Sequence, residues 1–245
     1  MCSRLFVVCL IVVVFAAFGN AQFAVTYKYN SSSYPTWEEI SFLSIGAEEI
    51  IWEKLPDKGH EIGLAYWFRL KKRRLEFYPE VFASVQQSAG AYESVTSENN
   101  PKLSRKTIGL QMTIQAYPMD FANDCNCPTF SKDGNFLTKG FFVGISPGYA
   151  IHRLSFTSLE QDQIVSSSTY RLGGFLGIDI GINTLITISP LLYLNYSPSV
   201  QWDNIENILN GTKAILKEES SIIEVQPGIK VSFRPDYRKE QRRWR

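Results

Sequence analysis

Close to its C-terminal end the chain sets Ile223, Val225, Pro227, Ile229, Val231 and Phe233 at every second position, with Glu224, Gln226, Gly228, Lys230 and Ser232 between them. A period of two sends the two rows to opposite faces of a strand, so one face meets an apolar medium and the other does not. The pattern recurs. Ile62, Leu64, Tyr66, Phe68 and Leu70 alternate with Glu61, Gly63, Ala65, Trp67 and Arg69. Beyond 71–74, Leu75, Phe77, Pro79, Val81, Ala83 and Val85 alternate with Glu76, Tyr78, Glu80, Phe82 and Ser84, which predicts a hairpin of two long strands. Further copies run over 108–117, 141–152, 170–180 and 186–196, and a less regular one over 42–52 supplies the expected first strand. Together these make eight strands, each near the roughly 9–11 residues of a tilted membrane strand. Ten strands is the alternative count, because 23–29 also alternates.

Residues 1–21 carry one charge, Arg4, then an apolar run over 5–18 and the small residues Gly19 and Ala21, the pattern of a cleaved secretory signal. Beyond it no apolar run reaches the ~20 residues that a spanning helix needs, so insertion into a membrane has to use strands. The net charge of +1 supplies no field for nucleic acid. The expected organisation is a signal peptide at 1–21, an N-terminal periplasmic segment at 22–39, a barrel at 40–234 and a basic periplasmic tail at 235–245.

The second row of each strand is rich in Gly, Ala, Ser and Gln with large residues interspersed, which suits the crowded interior of a narrow closed barrel. Its charges, Glu61, Arg69, Glu76, Glu80, Arg171, Asp179, Glu224 and Lys230, are mixed in sign and are expected to pair inside the lumen. Trp67, Phe68, Phe77, Tyr78, Tyr117, Phe141, Phe142 and Phe233 gather where strands should reach the inner membrane interface. Links at 71–74 and 183–184 are tight, whereas those at 88–104, 157–168 and 199–220 are long and polar and belong outside. Two links break this rule: a short outer one at 55–59 and a long inner one at 118–138. Pro79, Pro147, Pro190 and Pro227 fall in the apolar row, where each removes a ladder hydrogen bond, so bulges are expected there.

Chemistry is sparse. His152 and Ser155 stand on opposite faces of one strand, which does not assemble a nucleophile and its base. No metal-spacing cluster or phosphate-cradling glycine loop is present in the sequence. No catalytic, cofactor-binding or metal site is expected. Cys125 and Cys127 are separated by one residue, an awkward spacing for an unstrained disulfide, and a local disulfide, inert thiols and, behind these, a metal or redox role remain open.

The Tyr66-Trp67-Phe68-Arg69-Leu70 hairpin, the Cys125-Asn-Cys127-Pro128 link, the Ser146-Pro147-Gly148 strand and the ending at Phe233 resemble small outer-membrane β-barrel proteins of Gram-negative bacteria. The resemblance is to the OmpA/OmpX transmembrane type, including the PorT-like group, over 40–234. It implies an all-β, antiparallel up-and-down transmembrane β-barrel in the cell outer membrane. Gln226, Gly228, Val231 and Phe233 resemble the terminal-strand signal read by the barrel-insertion machinery, with the departure that 234–245 continues beyond it. The implied function is a non-enzymatic structural, adhesion or envelope-assembly accessory role. Its expected partners are outer-membrane lipid, the insertion machinery, and an envelope protein reached through the outer loops or the basic tail. The alternative is a secreted soluble β-barrel that binds a small apolar ligand. A lipid-modifying enzyme or a narrow pore stands behind both, since about eight strands enclose little open space.

Overall fold

A computed structural model describes residues 22–35, 39–43, 50–70, 75–88, 102–118, 140–157, 162–182, 186–201 and 219–233. In chain order its strands are β1 (Phe23–Ser33), β2 (Glu39–Leu43), β3 (Ile50–Lys54), β4 (Lys58–Tyr66), β5 (Phe68–Leu70) and β6 (Leu75–Gln87). They continue with β7 (Lys102–Ala116), β8 (Phe141–Thr157), β9 (Asp162–Ile178), β10 (Ile180–Gly181), β11 (Ile186–Gln201) and β12 (Glu219–Phe233). β5 prolongs β4 past a break at Trp67, and β10 prolongs β9 past Asp179, because each pair keeps one register against its neighbour. Every adjacent pair is antiparallel, and β12 returns to pair with β1, which closes an eight-strand up-and-down barrel.

Strand one is not where the sequence pattern places it. β1 occupies the seam between β12 and β4, so 23–33 belongs to the barrel rather than to a segment ahead of it. The described residues of 42–52 instead fall in β2 and β3, an antiparallel pair separate from the barrel sheet, whose strands of 5 residues are too short to span a bilayer. With this correction the first outer link holds the paired strands β2 and β3, and the short outer link expected at 55–59 disappears into the approach to β4. β8 and β9 each run for 17 residues, so most of 157–168 is strand rather than loop. Residues 1–21 and 235–245, expected as a signal peptide and a basic tail, lie outside the described residues, as do Cys125 and Cys127.

No bulge marks the four prolines. Each keeps regular register on one side: Pro79 with Met112, Pro147 with Leu172, Pro190 with Ile229 and Pro227 with Leu192. On the other side the ladder lapses and then resumes unshifted, as between Lys28↔Gly228 and Ser31↔Val225 opposite Pro227. An antiparallel residue addresses its backbone groups to one neighbour only, so proline forfeits one side and leaves the other intact. The register shift that does occur in this sheet lies between Ser197 and Val200, around Pro198.

Polarity is inverted relative to a water-soluble protein. The outward rows expose Ile62 (59%), Leu110 (62%) and Leu172 (57%), while the inward rows bury charged and polar side chains. A soluble barrel with an apolar ligand site would show the opposite arrangement, which removes that alternative. The aromatic set splits between the faces as alternation requires. Phe68 stacks on Phe77 at 5.2 Å and Phe23 meets Phe233 at 5.2 Å on the outside. Trp67, Tyr78, Tyr117 and Phe142 turn inward and fill the lumen.

Candidate functional site

The lumen is organised around a compensated set of charges. Lys28 on β1 donates to Glu61 Oε1 on β4 at 2.8 Å, and its Nζ lies 3.6 Å from Glu80 Oε1 on β6. Arg171 Nη2 on β9 reaches Glu61 Oε2 and Glu224 Oε2, each at 3.0 Å. Arg105 on β7 pairs with Glu224 from the other side. Three cations therefore face three carboxylates, all withdrawn from solvent. Such charges lose hydration energy on burial, and only close partners together with further hydrogen bonds offset that loss.

Those further bonds are present. Gln226 Nε2 donates to Glu61 at 3.2 Å and to Glu224 at 3.3 Å, and its Oε1 accepts from Asn195 at 2.7 Å. Gln86 donates to Glu224 at 3.1 Å, and Gln111 donates to Glu80 at 2.8 Å. Rings cover the cations: Lys28 lies 4.4 Å from the centroid of Tyr193 and Arg171 lies 4.5 Å from that of Phe82. Room for the Lys28 side chain comes from Gly228, its register partner, where an added Cβ would sit 2.9 Å from Lys28 Cγ.

Toward the end of the barrel where β1 begins and β12 ends, a second layer closes the lumen. Tyr78 donates to Glu76 at 2.5 Å, and the Tyr117 hydroxyl lies 2.7 Å from Asp179 Oδ2 and 3.1 Å from Glu76 Oε2. Lys230 donates to Gln115 at 2.6 Å and lies over the rings of Tyr78 and Phe142 at 4.2 and 4.8 Å. Phe142, Phe175 and Tyr193 continue the aromatic filling, with Phe175 stacked on Tyr193 at 4.6 Å.

Of the charged residues singled out in the sequence, Glu61, Glu80, Arg171 and Glu224 come together in the central layer, and Glu76, Asp179 and Lys230 lie in the aromatic one. Arg69 sits on β5 opposite Glu76 in register. Lys28 and Arg105 are additional members. Their signal is parity: Lys28 falls in the row of Ala24, Thr26 and Asn30, and Arg105 in the row of Gly109 and Gln111. Of the terminal-strand set, Gln226 is lumenal, Gly228 accommodates Lys28, Val231 faces outward, and Phe233 pairs with Phe23 and Ile186 in register. His152 Nδ1 lies 2.9 Å from Thr107 Oγ1, its register partner, and Ser155 is on the opposite face.

A closed antiparallel sheet with an apolar exterior and a filled polar lumen defines a transmembrane β-barrel. No protein-family model matches the chain, and no curated protein matches it. Among solved structures it is similar to Ail, the attachment invasion locus protein of Yersinia pestis, at 11% identity and TM-score 0.40, covering 87% of this chain and 99% of that one. It is also similar to a major outer membrane protein of Thermus thermophilus, at 11% identity and TM-score 0.42, covering 86% and 99%. A third likeness is the outer membrane protease OmpT of Escherichia coli, at 8% identity and TM-score 0.37, covering 87% and 97%.

Proposed function

We propose that this barrel is a non-enzymatic outer-membrane protein that acts as a structural, adhesion or envelope-assembly accessory through its outer links. The observation that supports this reading is the filled lumen. Lys28, Arg105 and Arg171 are neutralised by Glu61, Glu80 and Glu224, and the Tyr117, Phe142, Phe175 and Tyr193 rings pack beside them. A transport path would need those contacts broken, and a hydrolytic site would need a substrate to reach Thr107 and His152, both buried.

The test is affinity purification of the full chain from detergent-solubilised membranes, with a matched chain in which 89–101 and 202–218 are replaced by short turns. A defined envelope protein should be recovered with the first and lost with the second. Steady single-channel conductance of the purified barrel in a planar bilayer would overturn the accessory reading.

A further inference from the structure

At the outer end of the barrel, the outward rows of one sector change from apolar to basic. Lys106 on β7 and Arg153 on β8 are direct register partners, and both are exposed. Like charges directly opposite in an antiparallel ladder destabilise the pair unless something anionic compensates them. Lys58 and His60 stand exposed on the same outward face of β4, where His60 partners Val85 and Val85 partners Lys106. The hydroxyl of Tyr27 meets His60 Nδ1 at 2.7 Å, and the Tyr27 and His60 rings stack at 5.8 Å, which fixes the imidazole on this face.

The described side chains of this sector have one sign. Among outward-facing barrel-strand residues whose side chains are described, Lys58, His60, Lys106 and Arg153 are the titratable groups besides tyrosines, and no carboxylate accompanies them. Glu61, Glu76, Glu80, Asp179 and Glu224 all point inward. Depth agrees with this chemistry. From Phe141 to Ile151 the outward row of β8 is apolar or aromatic, and at the usual rise and tilt that stretch climbs roughly 25 Å, the height of the apolar band of such barrels. Arg153 therefore comes at the outer edge of the band, at headgroup level, where a basic side chain on the lipid face costs little.

We propose that Lys106 and Arg153, flanked by Lys58 and His60, bind the phosphate groups of a phosphorylated glycolipid of the outer leaflet. A phosphate seated between Lys106 and Arg153 turns their repulsion into two charge-assisted contacts, with the planar guanidinium offering paired donors. The acyl chains then lie along Ile108, Leu110 and Ile151, which are exposed directly below. This goes beyond the accessory role and rests on the outer-membrane location proposed above, not on that role.

The test uses the folded full-length chain in detergent, titrated with a diphosphorylated lipid A and with the same lipid after phosphatase treatment, with adducts counted by native mass spectrometry. The diphosphorylated lipid should bind at least tenfold more tightly than its dephosphorylated form. Lys106→Gln and Arg153→Gln should each weaken it about fivefold, the attraction of one basic side chain to an anionic surface. Ser168→Gln, on the outward face of β9, should leave it unchanged. Equal binding of the two lipids by the unmutated chain would overturn the proposal without requiring any variant to fold. Displacement of the lipid by an equal concentration of inorganic phosphate would overturn its lipid source. Either failure leaves the accessory role untouched, since that role is read from protein co-purification.

Discussion

Lys28 on β1 and Glu61 on β4 are direct register partners, and Lys28 Nζ donates to Glu61 Oε1 at 2.8 Å with both side chains buried. The contact ties the first two barrel strands together. Because Arg171 holds the other oxygen of Glu61 at 3.0 Å, the same carboxylate also connects β4 to β9 across the lumen. The network is thus a brace between strands that share no backbone ladder. Its members depend on one another, because removal of one leaves a buried charge without its partner.

Lys28→Met should therefore be costly. Removing one partner of a buried pair typically costs about 3–5 kcal/mol, mostly from the uncompensated charge left behind. Here Glu61 and Glu80 both lose a cation. The urea midpoint of the folded barrel in lipid vesicles should fall accordingly, and adding Glu61→Gln to Lys28→Met should recover part of the loss. An unchanged midpoint for Lys28→Met would show that the pair does not brace the barrel.

Two adjacent glycines should behave oppositely. A Cβ on Gly173 would run into Asn195 Oδ1 and Ser146 Oγ inside the lumen, whereas one on Gly174 meets nothing within 4 Å. Gly173→Ala should cost about 1–3 kcal/mol by overpacking. Gly174→Ala should be neutral or stabilising by up to ~1 kcal/mol, because alanine loses less backbone entropy in the strand. Comparing the two urea midpoints checks this, and equal effects would mean that the lumen yields freely at Ser146 and Asn195.

Alternation makes seven of the eight barrel strands legible in the sequence, with the correct face for every row, because lipid on one side and a packed lumen on the other select residues at a strict period of two. The first strand is harder. β1 alternates as regularly as β12, but counting 42–52 as a strand makes β1 a supernumerary one, and an even count then excludes it. That error hides Lys28, and the neighbouring tendency to read polar strand ends as loops hides Arg105. Ser166, Ser167 and Ser168 look like a link for the same reason: beyond the lipid band the outward row no longer has to be apolar, so alternation fades while the ladder continues. Periodicity likewise reports that Glu61 is lumenal and leaves open which cation it meets, since that depends on side chains from strands far apart in sequence.

Pro227 makes a separate point about the seam. Pairing between β1 and β12 lapses at Tyr29 and Asn30, opposite Pro227 and Gln226, and resumes in the same register. The interruption is then the direct result of one missing donor rather than of strain. Pro227→Val should restore a seam hydrogen bond and stabilise the barrel by roughly 0.5–1.5 kcal/mol. Amide hydrogen exchange at the new valine should be slow. Fast exchange there, with no rise in the urea midpoint, would show that the seam is held apart by something other than proline.

Phe233 combines two roles that truncation can separate. Its ring lies 5.2 Å from Phe23 on the outward face, and its carbonyl accepts from Trp67 Nε1 at 3.3 Å, so the last barrel residue is fastened to both β1 and the β4–β5 break. A chain ending at Phe233 retains these contacts and should assemble in cells as well as the full chain. Phe233→Ala removes an aromatic pair, which contributes about 0.5–1.5 kcal/mol beyond its area, together with the ring expected to be read during insertion. It should lower the yield of heat-modifiable, protease-resistant barrel in the outer membrane several-fold while leaving the refolded protein only modestly less stable. The reverse pattern, with normal yield for Phe233→Ala and failure of the truncated chain, would place the insertion signal in 234–245 instead.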